Sequence, residues 1–288
     1  MKLHVIDAGD FKLDGGAMFG VVPKNLWGRY VEADERNLVP LKMRCLLIED
    51  GDRKILIDTG LGNKQAESFF KHYHLFGDGT LLGSLEKVGV SPEDITDVFI
   101  THFHLDHAGG AIVHHGPDNT PAYQFPNAKY WTNRRHWEWA TKPNPREAAS
   151  FLKENILPIE SLGQMHFVED GADFPFEIIF SDGHTEGQMC PKIRIGDQTL
   201  IFMADFLMPT VAHIPLAWVV GYDTRPLLTF DEKKAFLQEA ADQQYLLFME
   251  HDIKVEVCTV KHTEKGVRLD KSMTLAEALA DCASVVTA

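Results

Sequence analysis

The chain has 288 residues and a formal net charge of −14, with 44% hydrophobic and 24% charged residues. These values are typical of a soluble globular protein with a substantial core, and they exclude a disordered or fibrous chain. The acidity argues against a nucleic-acid partner, because proteins that bind polyanions usually display basic surfaces. A small, neutral or weakly charged substrate is favoured instead.

Cysteine usage and the N-terminal sequence bear on the cellular compartment. Cys45, Cys190, Cys258 and Cys282 lie far apart without a CxxC pair, so we expect reduced core thiols rather than disulfides. The opening sequence MKLHVIDAGDFKLDGG lacks the apolar segment of a signal peptide, and no stretch approaches the ~20 residues that span a bilayer. The sequence therefore predicts a cytoplasmic protein without a membrane segment.

The first half of the chain alternates strand and turn signals. The segment GGAMFGVVPKNLW, residues 15–27, is interpreted either as a mobile apolar flap or as a buried N-terminal strand. Strands are predicted over residues 41–48 and 54–58, joined by a turn at Gly51. Ser91 and Pro92 predict the start of a short helix, and residues 97–100 form an apolar, β-branched strand.

The second half contains more helices. Apolar spacing predicts helices over residues 146–155, 231–243 and 274–283, and a hairpin joins strands 193–195 and 200–203. Strands paired by hairpins, with helices between them, suit two mixed sheets covered by helices. We therefore predict one domain over residues 1–288, with halves of about 1–160 and 161–288.

The sequence THFHLDHAGG, residues 101–110, follows the strand at residues 97–100 and places four ligand-type side chains close together: His102, His104, Asp106 and His107. Imidazoles and carboxylates are the groups that bind Zn²⁺ and similar ions, and a strand end lets several of them converge. His102 and His104 are two residues apart, so an extended backbone turns both to one side. The segment predicts a metal site.

Other apolar runs also end in ligand-type residues. KILIDTG contains Asp58, FEIIFSDGHTEG contains His184, TLIFMADF contains Asp205, and YLLFMEHD contains His251. Functional groups of layered α/β folds gather in loops at one end of such strands. Taken together, these strand ends predict one shared functional site.

The HxHxDH segment, followed in order by His184, Asp205 and His251, resembles the metallo-β-lactamase superfamily over nearly the whole chain. The resemblance implies an α/β fold, an αββα sandwich of two mixed sheets flanked by helices. It implies that Asp58 lies outside the ligand set and hydrogen-bonds a ligand histidine. It assigns two divalent ions, with Zn²⁺ preferred over Mn²⁺, Fe²⁺ or Co²⁺: His102, His104 and His184 hold one, Asp106, His107 and His251 the other, and Asp205 bridges.

The same resemblance implies a hydrolase in which a hydroxide shared by the two ions attacks the substrate, with Asp106 and Asp205 as catalytic residues and Asp106 as a candidate proton donor. Two departures from common family patterns stand out. The third-histidine loop reads HTEGQ rather than HTPGH, and Met208 stands where many acyl-homoserine lactonases have a tyrosine. Tyr222 or His213 is a candidate to replace that tyrosine.

Residues 204–223 and 15–27 look closest to a subgroup with quorum-quenching lactonases and methyl-parathion-type hydrolases. Met18, Phe19 and Trp27 are predicted to form an apolar substrate wall. We therefore expect opening of a small, neutral, hydrophobic ester, such as an N-acyl-homoserine lactone.

The alternative functions are weighed on the same residues. Phosphotriester or aryl-ester hydrolysis is the second interpretation, since the same nucleophile and pocket would serve. A di-iron oxidoreductase is opposed by His104 and by the chain length, a nuclease by the acidity, and a non-catalytic metal scaffold by the complete ligand set. A homodimer is left open.

Overall fold

The computed structural model describes residues 1–206 and 210–285, with side chains through residue 280. The chain divides into two compact units. The first unit comprises Met1–Phe11 and Met43–Asp173, and the second comprises Lys12–Lys42 and Phe174–Ala288. Residues 12–42 thus belong to the second unit, whereas the predicted halves placed them in the first.

Two kinds of regular element make up the described residues. The strands are β1 (Lys2–Asp14), β2 (Leu38–Asp50), β3 (Arg53–Ile57), β4 (Asp97–Phe99), β5 (Ile112–His115), β6 (Thr120–Tyr123), β7 (Lys129–Thr132), β8 (Met165–Phe167), β9 (Phe176–Ser181), β10 (Gln188–Ile195), β11 (Gln198–Phe202), β12 (Leu246–Phe248), β13 (Val257–Thr263) and β14 (Gly266–Met273). The α-helices are α1 (Gly15–Phe19), α2 (Lys24–Trp27), α3 (Glu67–Phe70), α4 (Leu81–Lys87), α5 (Leu105–Ala108), α6 (Arg134–Thr141), α7 (Lys153–Ser161), α8 (Pro226–Asp242) and α9 (Leu275–Val285). Short 3₁₀ helices cover Pro92–Asp94, Gly109–Ala111, Val168–Asp170 and Val211–His213.

One six-stranded mixed sheet has the order β1-β2-β3-β4-β7-β8. The hairpin between β2 and β3 turns at Gly51, which has a φ of 59°, as predicted. β4 pairs in parallel with both β3 and β7, and each of its residues is buried. A strand inside a parallel arrangement is covered on both faces, which explains why Val98, Phe99 and the following Ile100 are all apolar. The histidine-rich segment starts directly beyond this strand.

The other six-stranded mixed sheet, of the second unit, has the order β14-β13-β12-β11-β10-β9. β11 and β12 are parallel, whereas the remaining neighbours in this sheet are antiparallel. The predicted hairpin is β10–β11, in which Ile195 pairs with Gln198. Helix α8 begins with Pro226 and includes the predicted residues 231–243 except Gln243.

Each unit has its own apolar core. Leu47, Leu56 and Val98 belong to the core of the first unit. Ile201 and Leu247 belong to the core of the second unit, together with Phe236 of α8. Cys45, Cys190 and Cys258 are buried, as predicted, whereas the Cys282 side chain lies outside the described set. Within residues 1–206 and 210–285, no helix is long and apolar enough to cross a membrane.

One secondary-structure prediction is wrong, and one of the two interpretations of residues 15–27 is ruled out. Residues 146–155 do not form one helix, because residues 145–150 form turns and α7 begins only at Lys153. The buried Phe151 joins the core of the first unit, and Leu152 is extended with a ψ of 120°, so the helical path is interrupted. Residues 15–27 do not form a buried strand either, because the Asp14 side chain accepts from Ala17 N and starts α1.

Asp97 provides a test of how β4 is stabilised. This carboxylate is 4% exposed and accepts hydrogen bonds from Trp131 Nε1 at 2.8 Å, Thr96 Oγ1 at 2.7 Å and Arg53 Nε at 3.1 Å. We expect Asp97→Asn to lower the free energy of unfolding by about 1–3 kcal/mol at neutral pH, because one or more buried donors lose a charged acceptor.

The pH dependence of this loss follows from the pKa of Asp97. Burial raises this pKa, but Arg53, Thr96 and Trp131 together hold it below its ordinary value. A lowered folded-state pKa gives stability that is present above the ordinary pKa and disappears as the pH falls through the lowered one. Urea unfolding of both proteins from neutral to acidic pH checks this. A difference that stays constant down to about pH 3 would contradict it.

Candidate metal centre

The histidine-rich segment begins where β4 ends. The Asp58 carboxylate accepts from Thr101 N at 2.8 Å, which holds the start of the segment against the end of β3. His104 is the extended residue before α5, with a ψ of 153°. His102 and His104 therefore turn to one side, and His102 Nε2 lies 3.0 Å from His104 Nδ1. Asp106 and His107 follow in α5, with Asp106 Oδ1 3.8 Å from His107 Nε2.

In each histidine of this segment, one ring nitrogen donates a hydrogen bond to a nearby oxygen, and we call that acceptor the outer partner of the histidine. Thr101 Oγ1 donates its single hydrogen to Asp58 Oδ2 at 2.7 Å, so it accepts from His102 Nδ1 at 3.1 Å. Glu147 accepts from His104 Nε2 at 2.9 Å, and Asp58 accepts from His107 Nδ1 at 3.1 Å. The nitrogens that remain as lone-pair donors are His102 Nε2, His104 Nδ1 and His107 Nε2.

The geometry between His102 and His104 tests whether the segment fits a metal ion. Both facing nitrogens carry a lone pair once the outer hydrogen bonds have fixed the tautomers, and they are 3.0 Å apart. Two lone pairs at this distance repel each other unless a cation lies near both. Neutral imidazoles with a fixed outer hydrogen bond are the usual ligands of Zn²⁺. The donor set of the first unit therefore fits a bound metal.

The second unit supplies an analogous set. His184 follows β9, and its Nδ1 donates to Asp223 at 2.9 Å. His251 follows β12, and its Nδ1 donates to the carbonyl of Lys42 at 2.7 Å. The two carboxylate oxygens of Asp205 face different histidines: Oδ2 lies 3.2 Å from His184 Nε2, and Oδ1 lies 3.1 Å from His251 Nε2. This arrangement suits a carboxylate that bridges two ions.

The charge on this set also favours a cation. Burial lowers the pKa of His184, but Asp205 and Asp223 more than offset it and raise this pKa to about 10. Without a metal, the imidazole would hold an extra proton between two carboxylates at neutral pH. A divalent ion supplies the same compensation with more charge. The residues of the second unit therefore also fit a metal.

The loop around His184 departs from HTPGH, and the structure shows what holds its shape. The Glu232 carboxylate accepts from Asp182 N at 2.9 Å and Gly183 N at 3.1 Å. Arg225 donates to the Asp182 carbonyl at 2.7 Å and forms an ion pair with Glu186. The glutamate of HTEGQ thus has a structural partner, and the loop is anchored to the start of α8.

The predicted substrate-wall residues lie together in the second unit. Phe19 stacks on Trp27 with ring centroids 4.8 Å apart and on His213 at 4.5 Å. Met18, Phe19 and Trp27 are at most 3% exposed, whereas Tyr222 is 42% exposed. Met208 lies outside the described residues. The role of these side chains as a substrate wall stays a prediction.

His213 is held on both ring nitrogens. Its Nε2 donates to the Met18 carbonyl at 2.9 Å, and its Nδ1 lies 3.1 Å from Thr210 Oγ1. Burial lowers the pKa of His213 to about 4, so the ring is neutral near pH 7. A substrate hydrogen bond from His213 would require one of these contacts to break, which makes His213 a poor replacement for the lactonase tyrosine.

Three buried residues around the candidate site were not singled out from the sequence. Glu147 lies in a segment predicted as a helix, where an acidic residue resembles a solvated face. Asp223 stands in a loop without a motif of its own. Lys233 of α8 donates to the carbonyls of His213, Pro215 and Trp218, and burial lowers its pKa to about 7. Lys233 stands in the charged run 231–234, which is typical of a solvated helix face, so the sequence gave no sign of this role.

The fold and both donor sets can now be compared with known proteins. A sequence profile described as the metallo-beta-lactamase superfamily matches residues 43–235. The chain belongs to the metallo-β-lactamase superfamily. Its fold is the superfamily's mixed α/β fold, with two sheets flanked by helices, as predicted. The protein is accordingly a hydrolase of this superfamily, which has a dinuclear metal site.

Three similar proteins illustrate the relationship. An N-acyl homoserine lactonase of Bacillus cereus is 24% identical over 270 residues, which cover 88% of this chain and 94% of the relative. A structure of a probable metal-dependent hydrolase from Staphylococcus aureus has a TM-score of 0.82 at 28% identity, covering 95% and 96% of the two chains. The dizinc quorum-quenching lactonase AidC, in complex with a product, N-hexnoyl-L-homoserine, has a TM-score of 0.77 at 21% identity, covering 95% of each chain.

Asp58 allows the outer hydrogen bonds to be tested. Its φ is 60°, a left-handed conformation that asparagine tolerates well, so Asp58→Asn removes the charge and preserves the backbone. We expect this variant to keep its bound metal with an affinity lowered about 10–100-fold, as is typical when an outer partner of a ligand histidine is lost. Competition with a chromophoric chelator measures the change.

Asp52→Asn, at the exposed turn between β2 and β3, is the control and should bind metal like the wild type. Complete loss of metal from Asp58→Asn, or a metal-loaded crystal structure with Asp58 on an ion, would contradict the outer role.

Proposed function

We propose that the protein uses two divalent metal ions to hydrolyse small neutral esters, and that lactones with an alkyl tail are its preferred substrates. The observation that carries the metal-dependent part is the pair of lone-pair nitrogens of His102 and His104, 3.0 Å apart with both tautomers fixed. The lactonase part is supported by relatives named N-acyl homoserine lactonase, which match this chain over 94% of their length.

The proposed ligands are the residues identified from the sequence, and each of them belongs to a group of side chains that could hold a metal ion. His102, His104 and His184 would hold one ion, and Asp106, His107 and His251 would hold the other. Asp205 bridges, which agrees with its two oxygens facing different histidines. Nitrogen ligands with a few carboxylates favour Zn²⁺, while Mn²⁺, Fe²⁺ and Co²⁺ are the alternatives.

The chemistry divides between the ions and the side chains. When bound, two divalent ions activate water at neutral pH and polarise the bond under attack. Asp205 would offer one carboxylate oxygen to each ion, and the outer partners keep the histidines oriented. The Asp106 side chain is 16% exposed, and we propose that it carries a proton toward the leaving alkoxide.

A cavity in the first unit supports the choice of a substrate with an alkyl tail. Its volume is about 430 Å³, and Leu75, Phe76, Leu81 and Leu82 contribute to its wall. Thr59 also lines this cavity, and its hydroxyl donates to the His107 carbonyl at 2.9 Å. Gly110, the last residue of the histidine-rich segment, lines it too. The leucine and phenylalanine side chains of this wall suit an apolar chain, whereas the net charge of −14 disfavours anionic substrates.

The first test of this proposal is the metal content. Purified protein saturated with Zn²⁺ should contain about two ions per chain by mass spectrometry, and Asp205→Ala should weaken both ions because each loses a shared ligand. Asp242→Ala is the control, since this exposed carboxylate pairs only with His262 among the contacts described for it. An Asp205→Ala protein that retains both ions and the full rate would show that the bridging assignment is wrong.

The second test concerns the substrate. We expect N-acyl homoserine lactones to have a specificity constant at least about tenfold above that of matched phosphotriesters and aryl esters, and we expect no hydrolysis of nucleic acids. KM should fall as the acyl tail lengthens, because each added methylene buries apolar surface in the cavity. Steady-state rates on protein with quantified metal measure both trends. A higher specificity constant for the phosphotriester would favour the phosphotriesterase interpretation instead.

A further inference from the structure

Glu147 is a buried carboxylate outside the ligand set, and all of its described contacts are to hydrogen-bond donors. It is 4% exposed. Its Oε1 accepts from His104 Nε2 at 2.9 Å, and its Oε2 accepts from Trp139 Nε1 at 2.8 Å and Asn144 Nδ2 at 3.0 Å. A buried charge is costly unless it is paired and hydrogen-bonded, and these three donors stabilise the buried carboxylate of Glu147.

The backbone around Glu147 is fixed by the same residue that fixes its side chain. Asn144 Oδ1 accepts from Arg146 N at 3.0 Å and from Glu147 N at 3.2 Å. The turn then ends at Phe151, whose ring lies 4.9 Å from the His104 ring. The break in the predicted helix over residues 146–155 thus lets both Glu147 and Phe151 contact the same histidine. Little freedom remains for the His104 ring.

We propose that Glu147 is a positioning residue that keeps the Nδ1 lone pair of His104 directed at one metal ion and supplies negative charge to that ion's position. The inference rests on the proposed metal centre. With Nε2–H donated to Glu147, only Nδ1 of His104 is left as a ligand atom. A carboxylate acceptor also makes the imidazole a stronger donor to a metal than a neutral acceptor does.

The charges around the two proposed positions explain why a carboxylate stands here. One position has three neutral histidines as its own ligands, and two of them donate to carboxylates, His104 to Glu147 and His184 to Asp223. The other position already includes the carboxylate of Asp106. One of its histidines donates to Asp58, and the other, His251, donates to a neutral backbone carbonyl. Glu147 and Asp223 therefore give the all-histidine position a charge close to that of its neighbour.

The decisive variant is Glu147→Gln, which preserves shape and removes the charge. We expect it to weaken one of the two ions about 10–100-fold and to leave the other within about twofold of the wild type. Stepwise titration of metal-free protein with Co²⁺, followed by its visible absorption and by chelator competition, resolves the two binding events. Trp139→Phe keeps the carboxylate and removes one donor that orients it, so we expect a smaller loss at the same ion.

Asp97→Asn is the matched control, because Asp97 is also a buried carboxylate of the first unit that accepts from a tryptophan indole, without contact to a proposed ligand. It should bind both ions like the wild type despite its lower stability. If Glu147→Gln binds both ions as the wild type does, or weakens both equally, the positioning role is wrong. Wild-type protein that binds fewer than two ions would overturn the metal centre itself. All of these measurements are of metal binding and none is of lactone hydrolysis. The test therefore still holds if the proposed substrate is wrong.

Discussion

An imidazole has two nitrogens, and a metal ligand must keep one of them free of hydrogen. The proposed site depends on how this constraint is met at five histidines. A hydroxyl, three carboxylates and a backbone carbonyl take up the other ring hydrogens: Thr101 for His102, Glu147 for His104, Asp58 for His107, Asp223 for His184 and Lys42 for His251. These acceptors lie far apart in sequence, and Lys42 lies inside β2, so they reach the histidines only in the folded chain.

Backbone strain occurs where the chain turns from a buried strand into each donor set. Asp58 follows β3 with a φ of 60°, and Ala204 follows β11 with a φ of 43°, immediately before Asp205. A left-handed conformation costs a residue with a Cβ atom about 1–2 kcal/mol. At Asp58 this cost is offset by hydrogen bonds, because the carboxylate accepts from both Thr101 and His107. The strained residues thus stand at the strand ends of the candidate site, and such strain tends to be kept at functional sites.

The sequence predicted several of the strands and two hairpins, and it singled out the candidate ligand residues, because each has a local signature. β4 reads as an apolar run, Gly51 marks a turn, and the HxHxDH spacing places His102 and His104 on one side of an extended chain. The outer partners have no such signature, with the exception of Asp58, which was identified through the family resemblance. Glu147 reaches His104 only because the chain breaks at Phe151, and that break is set by tertiary packing rather than by local spacing. Met18, Phe19 and Trp27 were recognised as an apolar group, but their mutual stacking depends on α1 and α2, which short-range patterns did not indicate.

The proposed metal ligands and the proposed substrate-facing segments are held by different interactions, and this separation bears on specificity. A bound metal ion would require the same ligand residues whichever substrate the protein accepts. Residues 213–218, in contrast, are held by the buried Lys233 side chain, which donates to three of their backbone carbonyls. The ring of His213 also stacks on Phe19 of α1. Backbone carbonyls are present in any sequence, so these anchors place few demands on the side chains of that segment. Substitutions there can reshape what the protein accepts without changing a single proposed ligand, which is why a complete ligand set identifies a superfamily more readily than a substrate.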